Sequence, residues 1–269
     1  MPLAHDVAGD PGAPAVLLVH AGVADRRMWD AVVPALARSF RVIRPDLRGF
    51  GDSPLPVGDP GPRYTNAGDL ADLLDVLGAP DAAVVGASFG GKVALELATA
   101  HPGKVRRLVL LCPAAPDVPD TPTSDAFDAE EARLLEAGDV DAATQLNVTT
   151  WLGPDADDAA REALAVMQRR AFDVQLAADA VASAARAPEP GPDPVEIDLA
   201  GVRVPTFVVE GAHDMDQLRA CARHVAASVP GAQLSVLDWA GHLPVLERPD
   251  EAGALLVDVL RDDLAVHAS

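Results

Sequence analysis

The chain has 269 residues, 49% of them hydrophobic, so it can bury one large core, and its net charge of −20 argues against nucleic acid as a partner. No apolar run reaches membrane-spanning length, and the first twenty residues lack the basic start and cleavage site of a signal peptide. Cys112 and Cys221 are too few for a disulfide framework or a zinc cluster. Together these features predict a cytoplasmic protein without metal, cofactor or membrane contact, acting on a small molecule. A homodimer is compatible with them.

In chain order, the apolar runs 15–20 (AVLLVH), 41–45 (RVIRP), 82–87 (AAVVGA), 107–112 (RLVLLC), 206–211 (TFVVEG) and 233–239 (QLSVLDW) predict strands. Several are too continuously apolar to face water on one side, as expected of a parallel sheet covered on both faces. Between them, 28–40, 66–78 and 90–102 carry apolar residues at three- and four-residue spacing and predict crossover helices. This alternation predicts an α/β domain. It breaks at about Pro116. Helical runs at 125–138 and 161–187 follow with no strand between them, and the proline-rich 188–194 (PEPGPDP) closes the break. The expected organisation is a core of 1–115 and 196–269 with a helical cap at 116–195. The acidic stretch 125–143 reads as a solvated helix face.

Ser88 lies in Gly86-Ala87-Ser88-Phe89-Gly90, where a strand run meets a helical run. A serine there could cap the helix. It could also be a nucleophile raised on a tight turn at a helix N-terminus, where N–H groups favour developing negative charge. A serine nucleophile needs a base, and a histidine base needs a carboxylate to fix its tautomer. Of seven histidines, His242 follows the last predicted strand, where loops of such sheets carry their sites. Asp214 follows the strand before it, with Asp216 as a rival two residues on. The order Ser88, Asp214, His242 is a Ser…Asp…His order.

These residues resemble the α/β-hydrolase-fold superfamily, in particular capped esterases and enol-lactonases. The resemblance rests on LLVHAGVADRRMWD (17–30), DLRGFGDSP (46–54), the Ser88 segment, VVEGAHD (208–214) and AGHLPVLERPDE (240–251), and spans nearly the whole chain. It implies a mostly parallel sheet of about seven strands flanked by helices, the family's first strand being absent. It implies the triad Ser88, Asp214 and His242, with an oxyanion hole from the N–H groups of Phe89 and Gly22, Val23 being the alternative to Gly22. His20, Asp46, Arg48 and Ser53 are expected to anchor loops. Trp151, Met167 and Phe172 could line the pocket or be cap core. Arg26, Arg27, Arg169 and Arg170 could bind a substrate carboxylate or be solvated charges. Serine at the nucleophile position, and a single tyrosine outside the cap, disfavour dehalogenase and epoxide hydrolase chemistry. The expected activity is hydrolysis of a small to medium, largely apolar ester or lactone through an acyl-enzyme. The alternatives are carbon–carbon bond hydrolysis or lysis by the same triad, or a non-hydrolytic ligand-binding or biosynthetic role.

Overall fold

A computed structural model describes residues 3–56, 63–185 and 191–267. Its strands are β1 (His5–Ala8), β2 (Ala15–Val19), β3 (Arg41–Pro45), β4 (Ala82–Ala87), β5 (Val105–Leu111), β6 (Thr206–Gly211) and β7 (Gln233–Leu237). They form one sheet in the order β1-β3-β2-β4-β5-β6-β7, with β1 antiparallel to β3 and the other pairs parallel. The sheet is thus of the seven-stranded, mostly parallel kind expected.

The helices are α1 (Val33–Leu36), α2 (Asn66–Val76), α3 (Phe89–Ala100), α4 (Pro122–Glu136), α5 (Val140–Trp151), α6 (Asp158–Ala185), α7 (Asp216–Ser228), α8 (Pro244–Glu247) and α9 (Pro249–His267). Every residue of β2 and β4 is buried because both sheet faces are covered. Leu17, Val19 and Val84 pack with Leu70 of α2, Leu95 of α3 and Val225 of α7. Val16, Leu18 and Val85 pack on the other face with Leu36 of α1 and Leu256 and Leu260 of α9. Alternate side chains of one strand therefore serve two cores.

Two expectations about helices change. The helix expected over 28–40 is a 3-10 turn at Arg26–Trp29 followed by the four-residue α1. Pro34 has no N–H to continue a helix from upstream and occurs in the first turn of α1 instead. The acidic stretch 125–143 is not one helix face. It breaks at Gly138, with φ +73°, and Asp139 caps α5, a helix the spacing did not reveal.

α4, α5 and α6 lie between β5 and β6. Part of the proline-rich connection, residues 188–190, lies outside the described residues. α6 is tied to the loop after β3: Arg170 Nε donates to Gly51 O (3.0 Å) and Gln175 Nε2 to Gly49 O (3.2 Å).

Candidate active site

β4 ends at Ala87 and α3 begins at Phe89, so Ser88 alone makes the turn between them. Its backbone is at φ +52°, ψ −118°, a conformation that costs a non-glycine residue about 1–3 kcal/mol. The turn is held by Ser88 N–H donating to Leu111 O (2.9 Å) and Ala114 N–H donating to Ser88 O (3.0 Å). A Cβ on Gly86 would run into the Gly90 carbonyl, and one on Gly90 into the carbonyls of Val19 and His20. Ser88 makes no side-chain capping bond to α3 and is only half-buried. The helix-cap reading of this serine therefore has no hydrogen bond behind it.

The loops after β6 and β7 bring Asp214 and His242 together. His242 Nδ1 lies 2.8 Å from Asp214 Oδ2, and the two side chains are 3% and 2% exposed. An ionised carboxylate can only accept, so the imidazole proton belongs on Nδ1, leaving Nε2 as the ring's acceptor. Asp214 Oδ1 accepts from Met215 N–H (2.7 Å). Asp216 is exposed and accepts from Thr121 Oγ1–H (2.8 Å) and Gln217 N–H (2.9 Å). His242 is paired with Asp214 and not with Asp216.

The Ser88 turn reaches this pair through β5. Leu111 accepts the Ser88 N–H, and the next residue, Cys112, directs its Sγ to Gly241 O (3.6 Å), just before His242. Cys112 is fully buried, and burial beside the Asp214 carboxylate pushes its thiol well up from the usual range. Donor atoms of Cys112, Asp214 and His242 lie within 4.8 Å of one another, a cluster that spacing along the chain did not show. Two of the three are already joined as the 2.8 Å histidine–carboxylate pair.

Gly22, in the loop after β2, abuts Phe89: a Cβ on Gly22 would lie 3.3 Å from Phe89 Cβ. The neighbouring Ala21 N–H is directed instead at Met28 Sδ (3.3 Å). His20 is buried and anchors this loop. Its Nε2 accepts from Leu47 N–H (2.9 Å) and its Nδ1–H donates to Ala21 O (2.8 Å). Burial holds its pKa below the ordinary value, as the neutral ring in this arrangement requires. Asp46 accepts from the N–H groups of Arg26 and Asp52 (both 2.8 Å), Arg48 pairs with Asp69 (2.6 Å), and Ser53 Oγ accepts from Ala4 N–H (2.9 Å).

The four arginines singled out above are engaged. Arg26 pairs with Asp6, Asp46 and Asp52, Arg27 with Asp25, and Arg169 with Asp141 and Asp173. Arg170 holds the Gly51 carbonyl. The three aromatic or sulfur-bearing residues of the insertion separate. Phe172 is buried with Leu134 and Ala143 inside the insertion. Met167 lines a cavity of about 410 Å³ with Met28, Val166 and Val245, which touches none of Ser88, Asp214 and His242. Trp151 alone reaches the site: its ring is 4.8 Å from the His242 ring, and its carbonyl accepts the His242 N–H (3.0 Å). A second cavity, about 230 Å³, opens against Phe89 between the loop after β3 and α6.

A family model described as the alpha/beta hydrolase fold matches residues 14–249. The chain belongs to that family. A pimeloyl-[acyl-carrier protein] methyl ester esterase from Aromatoleum aromaticum is 30% identical over 92% of this chain and 98% of its own. Among solved structures, a thermophilic esterase from Thermogutta terrifontis superposes with a TM-score of 0.77 at 29% identity, covering 97% of this chain and 93% of that one. The enol-lactonase from Burkholderia xenovorans does so with a TM-score of 0.75 at 28% identity, covering 96% of each.

In this α/β hydrolase, Cys112 and Glu247 stand beside the histidine loop, and neither was among the site residues expected from the sequence. Glu247 is buried and its carboxylate accepts from Gly241 N–H (2.8 Å) and Leu243 N–H (3.0 Å), on either side of His242. The available signal was a glutamate five residues after the histidine with no basic residue to pair with before Arg248. Among the described residues, no helix is long and apolar enough to cross a membrane.

Proposed function

We propose that this hydrolase cleaves carboxylic esters or lactones through an acyl-enzyme formed on Ser88. The observation that carries this reading is the half-buried serine at φ +52° on the β4–α3 turn, uncapped, at the sheet edge that also holds the His242–Asp214 pair. Ser88 Oγ attacks the acyl carbon while its proton passes to His242 Nε2. Asp214 stabilises the resulting imidazolium. The carbonyl π electrons move to oxygen, and the N–H groups of Phe89 and Gly22 hold that oxyanion. As the carbonyl reforms, the C–O bond to the leaving group breaks and the imidazolium protonates the departing alkoxide. Water, deprotonated by His242, then attacks the acyl-enzyme, and Ser88 leaves with the proton. No metal or cofactor takes part in these steps.

A neutral, small to medium substrate fits best. The four arginines that could have met a substrate carboxylate are already paired with carboxylates or a carbonyl, and the net charge of −20 slows the approach of anions. We place the enzyme in the cytoplasm, which suits two buried free cysteines. The test is a panel of neutral short-chain, long-chain and carboxylate-bearing esters and lactones, with fluorophosphonate labelling mapped by mass spectrometry. The expected result is turnover of the neutral short-chain members and label on Ser88. Label elsewhere, or none, overturns the mechanism.

A further inference from the structure

Glu247 has a feature that the reaction above does not use. It is a buried carboxylate, 6% exposed, and it accepts hydrogen bonds from two backbone N–H groups. Both donors, Gly241 and Leu243, flank His242, and the carboxylate also packs against Gly153, just past the end of α5 in the helical insertion. The contact is backbone-close on every side. A Cβ on Gly153 would meet Glu247 Oε2 and, at 2.8 Å, Gly241 N. A Cβ on Gly241 would meet Gly153 N and, at 3.1 Å, Glu247 Oε1. One on Gly211, the last residue of β6, would overlap the Gly241 carbonyl. Two residues before Gly153, the Trp151 carbonyl takes the N–H of His242 itself.

We propose that Glu247 is a positioning residue: it fastens the His242 loop to residues 151–153 of the insertion, so that His242 is aligned for catalysis only while the insertion is seated on the sheet. This rests on the assignment of His242 as the base. The backbone of residues 241–243 is held from the Glu247 side by two N–H bonds and from the insertion side by one. The imidazole is fixed in turn by Asp214 beneath it and by the Trp151 ring against it. A carboxylate suits the junction because it offers two oxygens and no donor to converging N–H groups. Burial raises its pKa, and the N–H donors work against that rise. A glutamine keeps the shape but has one acceptor oxygen, and it turns an NH₂ group toward an N–H donor.

The test compares Glu247→Gln and Gly153→Ala with wild type and with Leu134→Ala, which opens the insertion's own core away from the junction. Read-outs are melting temperature, kcat and KM on an ester the wild type turns over, and the rate of fluorophosphonate labelling. Glu247→Gln is expected to lower kcat and the labelling rate by about tenfold to a hundredfold, with KM within about twofold, because a displaced base fails in the chemical step. Gly153→Ala should reproduce that pattern from the insertion side. The double mutant should lose less than the product of the two losses, since both act on one contact. Leu134→Ala should melt earlier with kcat kept.

A second arm does not depend on Ser88 chemistry. In ¹H–¹⁵N spectra of the imidazole, the Nδ1 proton shared with Asp214 should exchange faster with water in both junction variants. The proposal is overturned if Glu247→Gln and Gly153→Ala keep wild-type kcat and Nδ1–H exchange, or if kcat falls in step with melting temperature across all the variants, Leu134→Ala included. Should wild type fail to label at Ser88, the serine-hydrolase reading falls, and the exchange rates still decide whether Glu247 positions His242.

Discussion

The carboxyl edge of the sheet and the helical insertion above it are built differently. At the sheet edge, loops approach one another backbone to backbone: Gly86 on Gly90, Gly90 on Val19 and His20, Gly211 on Gly241. Buried polar groups there are paired, as in the 2.8 Å bond between His242 and Asp214. The insertion packs through alanines and a few larger side chains, and α6 leaves Val166, Leu176 and Val181 exposed. Its hold on the loop after β3 includes two side-chain bonds to carbonyls, from Arg170 and Gln175. Close backbone packing tolerates one geometry, whereas side-chain contacts on a helix face tolerate several. On the proposed function, the edge would fix the reacting groups and the insertion would be left to admit and select the substrate. Residues 151–153 are the exception, since they pack as the edge does.

If that division holds, changes at the edge act on kcat and changes on the insertion act mainly on KM or selectivity. The largest effect should come from Ser88→Ala or His242→Ala, each lowering kcat by about 10⁴-fold or more in a protein that melts normally. The double mutant should be little worse than either single, because the groups act as a unit. Multiplicative losses in steady-state assays would break the comparison at its strongest point.

Next, Asp214→Asn should lower kcat by about 10³–10⁴-fold, since an amide that donates to Nδ1 puts the proton on the wrong nitrogen. Asp216→Asn should change kcat by less than about fivefold, as an exposed residue bonded to Thr121 and Gln217. Equal losses in a side-by-side kinetic assay would show that the pairing with His242 does not govern the rate.

Trp151 tests the exception. Trp151→Ala should reduce kcat by about tenfold, because the ring that packs on His242 is removed. Trp151→Phe should recover most of that, losing chiefly the indole N–H bond to Asn147 Oδ1 (2.7 Å). A change confined to KM would return Trp151 to the substrate-selecting part of the molecule.

The smallest effect concerns charge. Arg169→Ala should alter the ratio of kcat/KM for a carboxylate-bearing ester to that for a neutral one by less than about twofold, since Arg169 is already shared by Asp141 and Asp173. A selective loss on the charged ester would reopen a carboxylate subsite. Turnover should likewise survive EDTA, and inhibition by the chelator would overturn the metal-free mechanism.

The sequence by itself determined the inner strands β2 to β6 and the turn at Ser88, because their signals are local. A parallel strand buried on both faces must be apolar throughout, and a one-residue strand-to-helix turn requires glycine two residues to either side of Ser88. It did not reveal α5, whose start depends on how Gly138 and Asp139 turn the chain, nor the break that Pro34 imposes on 28–40. It left Asp214 and Asp216 as rivals, since both are carboxylates in the same short loop. Only the tertiary structure shows that Asp214, and not Asp216, is hydrogen-bonded to His242. The close approach of Gly211 to Gly241 turns one carboxylate under His242 and leaves the other at the start of α7 in solvent. The same holds for the arginines and for Glu247. Whether a charge is spent or available depends on partners far away in the chain, such as Asp141 for Arg169 and Gly153 for Glu247, and folding alone brings those groups into contact.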